Sequence, residues 1–137
     1  MHIARNGTVP SLRASEKFFT GVVTSTAIVN APEPARVRAS LVSFLPGART
    51  AWHFHPYGQT LYVTAGAGLI QLAGEPAREI KAGDSVWIGP GERHWHGATA
   101  QTAMSHVAMH EHQDGNYATW LEHVSEQEYT AAQPQTA

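Results

Sequence analysis

From Gly47 to Gly66 the chain reads GARTAWHFHPYGQTLYVTAG, and from Gly83 to His94 it reads GDSVWIGPGERH. Both stretches join short apolar runs to turn residues, and both carry histidine. On a strand, side chains two residues apart share a face, so His53 and His55 project into one space. Pro56 and Gly58 then turn the chain, which lets Gln59 swing its side-chain oxygen toward the same point. A fourth ligand has to come from another strand, and His94 is placed to provide it. Four ligands at such positions leave one or two sites open on a divalent ion, as a catalytic rather than a structural metal requires. Gln59 also has a plainer alternative, a hydrogen bond to a neighbouring strand; its spacing favours ligation.

Outward from these stretches, short apolar runs broken by Gly, Pro and Asn continue from Glu33 to Glu111. The predicted strands are Val37–Leu45, Ala51–His55, Thr60–Ala65, Gly68–Leu72, Asp84–Ile88, Arg93–Ala98 and Met104–Glu111. Strands this short, with turn signals every ~8–12 residues, point to an all-β sandwich or barrel. Gly66 and Gly68 are expected to bracket a tight reversal, and Leu72–Ile80 to form a hairpin around Gly74. Lys17–Val29 adds one or two strands, and Ser11–Phe19 is either irregular or a helical turn. Ser125-Glu126-Gln127-Glu128 has capping-box spacing, so a short C-terminal helix begins there, with a plain surface turn as its competitor. Residues 133–137 lack an apolar anchor and are expected to fray. The chain, 1–137, reads as a single domain with its barrel core at about 33–112.

Composition narrows the function classes. The net charge is −2 and the nine Lys and Arg residues are scattered, so nucleic acid and anionic membranes are not expected partners. The absence of cysteine excludes disulfides, thiolate metal sites and a Cys nucleophile. No signal peptide or membrane helix is read, which makes a cytoplasmic location the expectation. Charged residues make up 15%, low against an ordinary value of about a quarter, a hint that a second subunit covers part of the surface. Of nine histidines, six fall between His53 and His110. His96 shares a face with His94, and His106, Ala108 and His110 share a face of the next strand. Each is either a functional group or a satisfied core or rim histidine. Clustering favours function for His106 and His96 and leaves His110 even, while His2, His112 and His123 are assigned to the surface.

The two quoted stretches resemble the paired motifs of the cupin family, whose fold is a double-stranded β-helix, an antiparallel β-barrel or jelly roll. Gln59 stands where the family's first motif has Glu. In the second, Gly89 takes the Pro slot, with Pro90 one step later, and Ala98 takes the Asn slot. Three imidazoles and an amide are all neutral, so an ion here keeps its full charge toward the open positions and favours anionic ligands. Within the cupins, Pro46–Leu61, Pro90–Ala98, Thr102–His106 and Trp120–Val124 are similar to the manganese-dependent hydroxynitrile lyases. That resemblance implies Mn2+, although Fe2+, Ni2+, Co2+ and Zn2+ suit the same donors.

Three functions follow as hypotheses. The first is a lyase that splits an aromatic cyanohydrin into aldehyde and cyanide, or runs the reverse addition. The metal activates the hydroxyl, His106 acts as acid and base, and His96 hydrogen-bonds the cyanide nitrogen, with His110 as a further candidate. Val42, Phe44, Phe54 and Leu61 are expected to hold the aryl ring. Ser40 shares a face with Val42 and Phe44, though parity alone does not say which face. The second is an iron- or nickel-dependent dioxygenase, disfavoured by the missing carboxylate ligand. The third is a small-molecule-binding cupin without catalysis. A homodimer or homotetramer fits each of them, and cupin dimers built through N-terminal strands make Phe18, Phe19, Val22 and Val23 candidate contacts.

Overall fold

In a computed structural model, which describes residues 1–135, the chain forms one curled antiparallel sheet and one short helix. The strands are β1 (Ser11–Arg13), β2 (Phe19–Thr20), β3 (Val23–Asn30), β4 (Val37–Phe44), β5 (Arg49–Thr50) and β6 (His53–Phe54). They continue as β7 (Gln59–Leu72), β8 (Arg78–Lys81), β9 (Ser85–Ile88), β10 (His94–Ala98), β11 (Met104–Glu111) and β12 (Thr119–Trp120), followed by α1 (Glu126–Ala132). The order across the sheet is β1-β3-β4-β11-β7-β10-β5-β2, with β8 and β9 on β7, and β6 bridging β10 to β12.

The barrel closes because β7 belongs to both of its faces. Its first half pairs with β11 and β9, and its second half with β10 and β8. The expected reversal at Gly66 and Gly68 is therefore a bend in a single continuous strand. Gly66 adopts φ +73° against the Ala103 carbonyl, a conformation and a closeness that a side chain would forbid. The hairpin around Gly74 forms as β7 and β8. Of Ser11–Phe19, Ser11–Arg13 is a strand whose hydrogen bonds are met by Thr24–Thr26, while Phe18 N and Phe19 N both donate to Ser15 O at 3.1 Å and close the turn the sequence allowed. Of the expected Ala51–His55 strand only His53 and Phe54 form a regular strand, while Ala51 N and Trp52 N bond to Phe18 O and Glu122 O outside it. The Ser125 capping box is complete: its hydroxyl accepts from Glu128 N, and the Glu128 carboxylate accepts from Ser125 N. Of the tail expected to fray, Thr136 and Ala137 lie outside the described residues.

Alternation sorts the side chains into two cores. Inside the barrel, Val23, Val42, Phe44, Leu61, Val63, Ile70, Ile88 and Met104 pack together. On the outer side of β10, Trp95 joins Trp52, Leu69, Val124 and Tyr129 beneath α1. Because Trp95 turns outward under the helix, its neighbours His94 and His96 turn inward. Arg49 pins this layer: buried, it donates to Val124 O (3.0 Å) and Glu126 (2.9 Å) and lies 4.2 Å above the Tyr129 ring.

Gly97 lies where β10 crosses the chain entering β5, and a Cβ there would be 2.5 Å from Ala48 O and 2.6 Å from Arg49 Cα. Both obstacles are backbone, so the strands themselves would have to part. Gly97→Ala is expected to cost about 2 kcal/mol or more in a denaturant melt. An unchanged midpoint would show that the crossing yields more easily than its geometry indicates.

A candidate metal centre in an aromatic cavity

His53 on β6 and His94 on β10 face each other as a registered strand pair, with ring centroids 4.2 Å apart. The β9–β10 loop delivers His94 to this place, anchored by Gly91 N donating to His55 O at 3.0 Å. His55, just past β6, stands 5.0 Å from His53 and 5.4 Å from His94 between ring centroids. Three backbone carbonyls orient these rings. Nδ1 of His53 contacts Ala51 O at 2.9 Å, Nδ1 of His55 contacts Tyr117 O at 2.7 Å, and Nδ1 of His94 contacts Glu92 O at 2.8 Å. A carbonyl only accepts, so each Nδ1 carries the proton and each Nε2 keeps its lone pair.

Two of those lone pairs, on His55 and His94, meet no hydrogen-bond partner among the described residues. Nε2 of His55, His94 and His96, together with Gln59 Oε1, are buried without a hydrogen-bond partner. Buried polar atoms are normally satisfied, so several unpartnered ones in one place, with the nitrogens of His55 and His94 fixed as acceptors, fit a cation. His53, His94 and His96 are positioned to hold a metal ion, offering one ring nitrogen each within 4.8 Å of one another. His96 thus joins a cluster in which sequence reasoning expected only His53, His55, Gln59 and His94. Its Nδ1 is engaged differently, 3.0 Å from His106 Nε2 in a buried pair whose ring centroids are 4.8 Å apart.

Burial also sets the charge of the cluster. Desolvation, reinforced by the neighbouring His94 and His55, lowers the His53 pKa well below the ordinary imidazole value. It does the same for His96, helped by His106 and His53. Desolvation lowers His94 and His106 to about 4. Desolvation lowers His55 as well, opposed by the Tyr117 carbonyl on its Nδ1. Neutral rings are what metal ligation needs.

The sign of the pH dependence follows. Between about 6.5 and 4 the unfolded chain binds protons that the folded chain does not, so stability rises with pH across that window. The metal-free protein is expected to lose roughly 10 °C or more of melting temperature as pH falls from 7 to 4. A flat calorimetric profile over this range would contradict the burial of neutral imidazoles.

The cluster opens into a cavity of about 410 Å³. Phe18, Phe19, Trp120 and Tyr117 form much of its wall, with Ser40, Val42, Ala108, His106, His110 and Arg38. Trp120 stacks on His53 at 4.5 Å, and Phe18 stacks on Trp120 at 4.8 Å. His110 lies between Tyr117 (4.8 Å) and His55 (5.6 Å). A larger hollow of about 600 Å³ beside α1 is lined by residues such as Leu69, Glu79 and Gln133 and contains no histidine.

The expected site residues thus divide. Ser40 and Val42 line the cavity, which settles the face of β4. Phe44 lies behind the wall, 5.3 Å from His106 and 5.9 Å from His96 between centroids. Phe54 and Leu61 do not line it. Phe54 alternates with His53 and so points to the other side, while Leu61 is fully buried in the barrel core. His112, expected on the surface, is buried. Phe18 and Phe19, expected at a subunit contact, face the cavity, and Val23 fills the core. Sequence reasoning missed Arg38, Tyr117 and Trp120 as wall residues. Parity with Ser40 and Val42 could have found Arg38; nothing local marks the other two, which the fold brings in from a distant segment.

This fold and site define a cupin. The cupin domain family matches residues 40–113, and the chain belongs to that family. It is 50% identical over 129 residues to the (R)-mandelonitrile lyase of Granulicella tundricola, covering 94% of this chain and 98% of that one. Among solved structures, a cupin-like protein of Thermotoga maritima shares 40% identity with a TM-score of 0.86, over 90% of this chain and 94% of that one. The polyketide cyclase RemF of Streptomyces resistomycificus shares the fold alone, at 19% identity and TM-score 0.74 over 94% and 90% of the chains. Among the described residues, no helix is long and apolar enough to cross a membrane.

Proposed function

We propose that the protein is a metal-dependent lyase that cleaves, and in reverse forms, aromatic cyanohydrins. The observation that carries this reading is the paired His96 and His106 beside the ligand cluster, in a chain 50% identical to a relative named (R)-mandelonitrile lyase. In this reading His53, His55, Gln59 and His94 hold one divalent ion, with manganese the one the family resemblance implies. When bound, that ion supplies Lewis acidity, lowering the pKa of a substrate hydroxyl.

The chain's own groups do the rest. The aromatic wall of Phe18, Phe19 and Trp120 receives the aryl ring and excludes water from the reacting carbon. The neutral imidazole of His106 or His96 accepts the hydroxyl proton, and the hydrogen bond between the rings lets the charge be shared. The oxygen's electron pair becomes the carbonyl π bond as the bond to the nitrile carbon breaks, and that bond's pair leaves on cyanide. The proton held by the histidine pair then passes to cyanide, so aldehyde and hydrogen cyanide depart and the pair returns to neutrality. Burial suits this return, because it disfavours a lasting imidazolium.

The test is direct. Manganese-loaded protein incubated with mandelonitrile is expected to release benzaldehyde well above the metal-free control, followed by absorbance. Equal release from the loaded and metal-free protein ends this reading.

A further inference from the structure

Among the described residues Arg38 is the one permanently charged side chain in the cavity wall, and no carboxylate accompanies it there. It lies on β4 with Ser40 and Val42, all three turned inward by alternation. Strand register fixes its height: Arg38 pairs with His110, and His110 pairs with Gln59. Arg38 therefore stands level with Gln59 two strands away, about 10 Å between backbones at the usual strand spacing. Its long side chain shortens that gap from one side.

Arg38 is half-buried and only part of its guanidinium is shut away from solvent. Nε of Arg38 is buried without a hydrogen-bond partner, and Arg38 takes part in none of the ion pairs among the described residues. The opposite strand offers it His110, whose Nδ1 is likewise buried and unpartnered. A buried, unpartnered guanidinium N–H gains from an acceptor, and the planar fork of the group suits a carboxylate held by two parallel hydrogen bonds. A phosphate dianion at Arg38 would call for a second cationic side chain beside it, and no lysine lines the cavity.

We infer that Arg38 is an anion anchor and that the cavity takes a hydroxy or oxo compound bearing a carboxylate remote from its reacting carbon. This rests on the cavity being the substrate site of the proposed function, and not on which bond is cleaved there. Arg38 sets which substrate enters, while the histidine cluster acts at the other end of the molecule.

The probes are 4-formylbenzoate and its neutral counterpart 4-formylbenzamide, titrated by calorimetry into the metal-loaded full chain. The parent protein is expected to bind the acid at least about tenfold more tightly, the ratio a charge-assisted hydrogen bond gives. Arg38→Gln is expected to bring the ratio close to one, and Arg38→Lys to keep part of it. Equal affinities in the parent protein would overturn the inference. So would a preference that survives in Arg38→Gln, since the carboxylate would then be bound elsewhere, as on the ion. If Arg38→Gln does not fold, a parent preference that Arg38→Lys retains and that falls as salt rises supports the anchor, whereas a salt-independent one overturns it. The readout needs no turnover, so failure of the mandelonitrile assay and failure of the anion preference are separate results.

Discussion

His94→Ala is expected to lower metal affinity by more than about 100-fold, leaving the purified protein with under about a tenth of the metal of the parent chain. Loss of groups that merely orient a ligand costs about 10–100-fold, and His94 is proposed as a ligand itself. Its Nε2 is buried and unpartnered, its Nδ1 is held by Glu92 O at 2.8 Å, and its ring is the nearest to that of His53. His55→Ala should behave in the same way, while His96→Ala should keep its metal. Elemental analysis of the untagged proteins checks all three. Full metal in His55→Ala together with its loss in His96→Ala would move the centre onto the His53, His94 and His96 triad, whose ring nitrogens already approach within 4.8 Å.

His106→Ala should give the opposite pattern: metal retained and kcat lowered by about 10²–10⁴-fold, the usual worth of a positioned acid or base. His106 is fully buried, 3.0 Å from His96 Nδ1, and it reaches the cavity without belonging to the closest cluster of ring nitrogens. Its removal leaves His96 Nδ1 without a partner and so strips the pair of its second proton site. Steady-state kinetics with mandelonitrile, paired with metal content on the same samples, distinguish loss of chemistry from loss of the ion. A variant within a few-fold of the parent rate would remove His106 from the mechanism.

Much of this site was legible because strand geometry is so restrictive. A period of two put His53 with His55 and His94 with His96, and nothing longer-ranged than alternation was needed to place them. The same rule could have added Arg38 to Ser40 and Val42. Where the reading failed, the reasons were also physical. A pair of glycines signals a break in a strand, yet the signal is identical for a reversal and for the bend that carries β7 from one face to the other. Phe18, Phe19 and Trp120 carry no local mark of facing a cavity, since their neighbours come from segments about a hundred residues apart. Apolar parity could offer Leu61 for the pocket, but only packing decides whether an inward residue reaches the open space or fills the core beneath it.

One hydrogen bond described above reaches beyond the centre. The carbonyl that orients His55 belongs to Tyr117, at the end of a surface turn closed by the pairing of Gln113 with Asn116. With His55 in the proposed ligand set, seating the ion and holding that turn in shape become two sides of one equilibrium, each favouring the other to the same degree. Drift among the exposed residues 113–116 can therefore retune how tightly the ion is gripped, with every ligand left unchanged, through the tilt of a single imidazole.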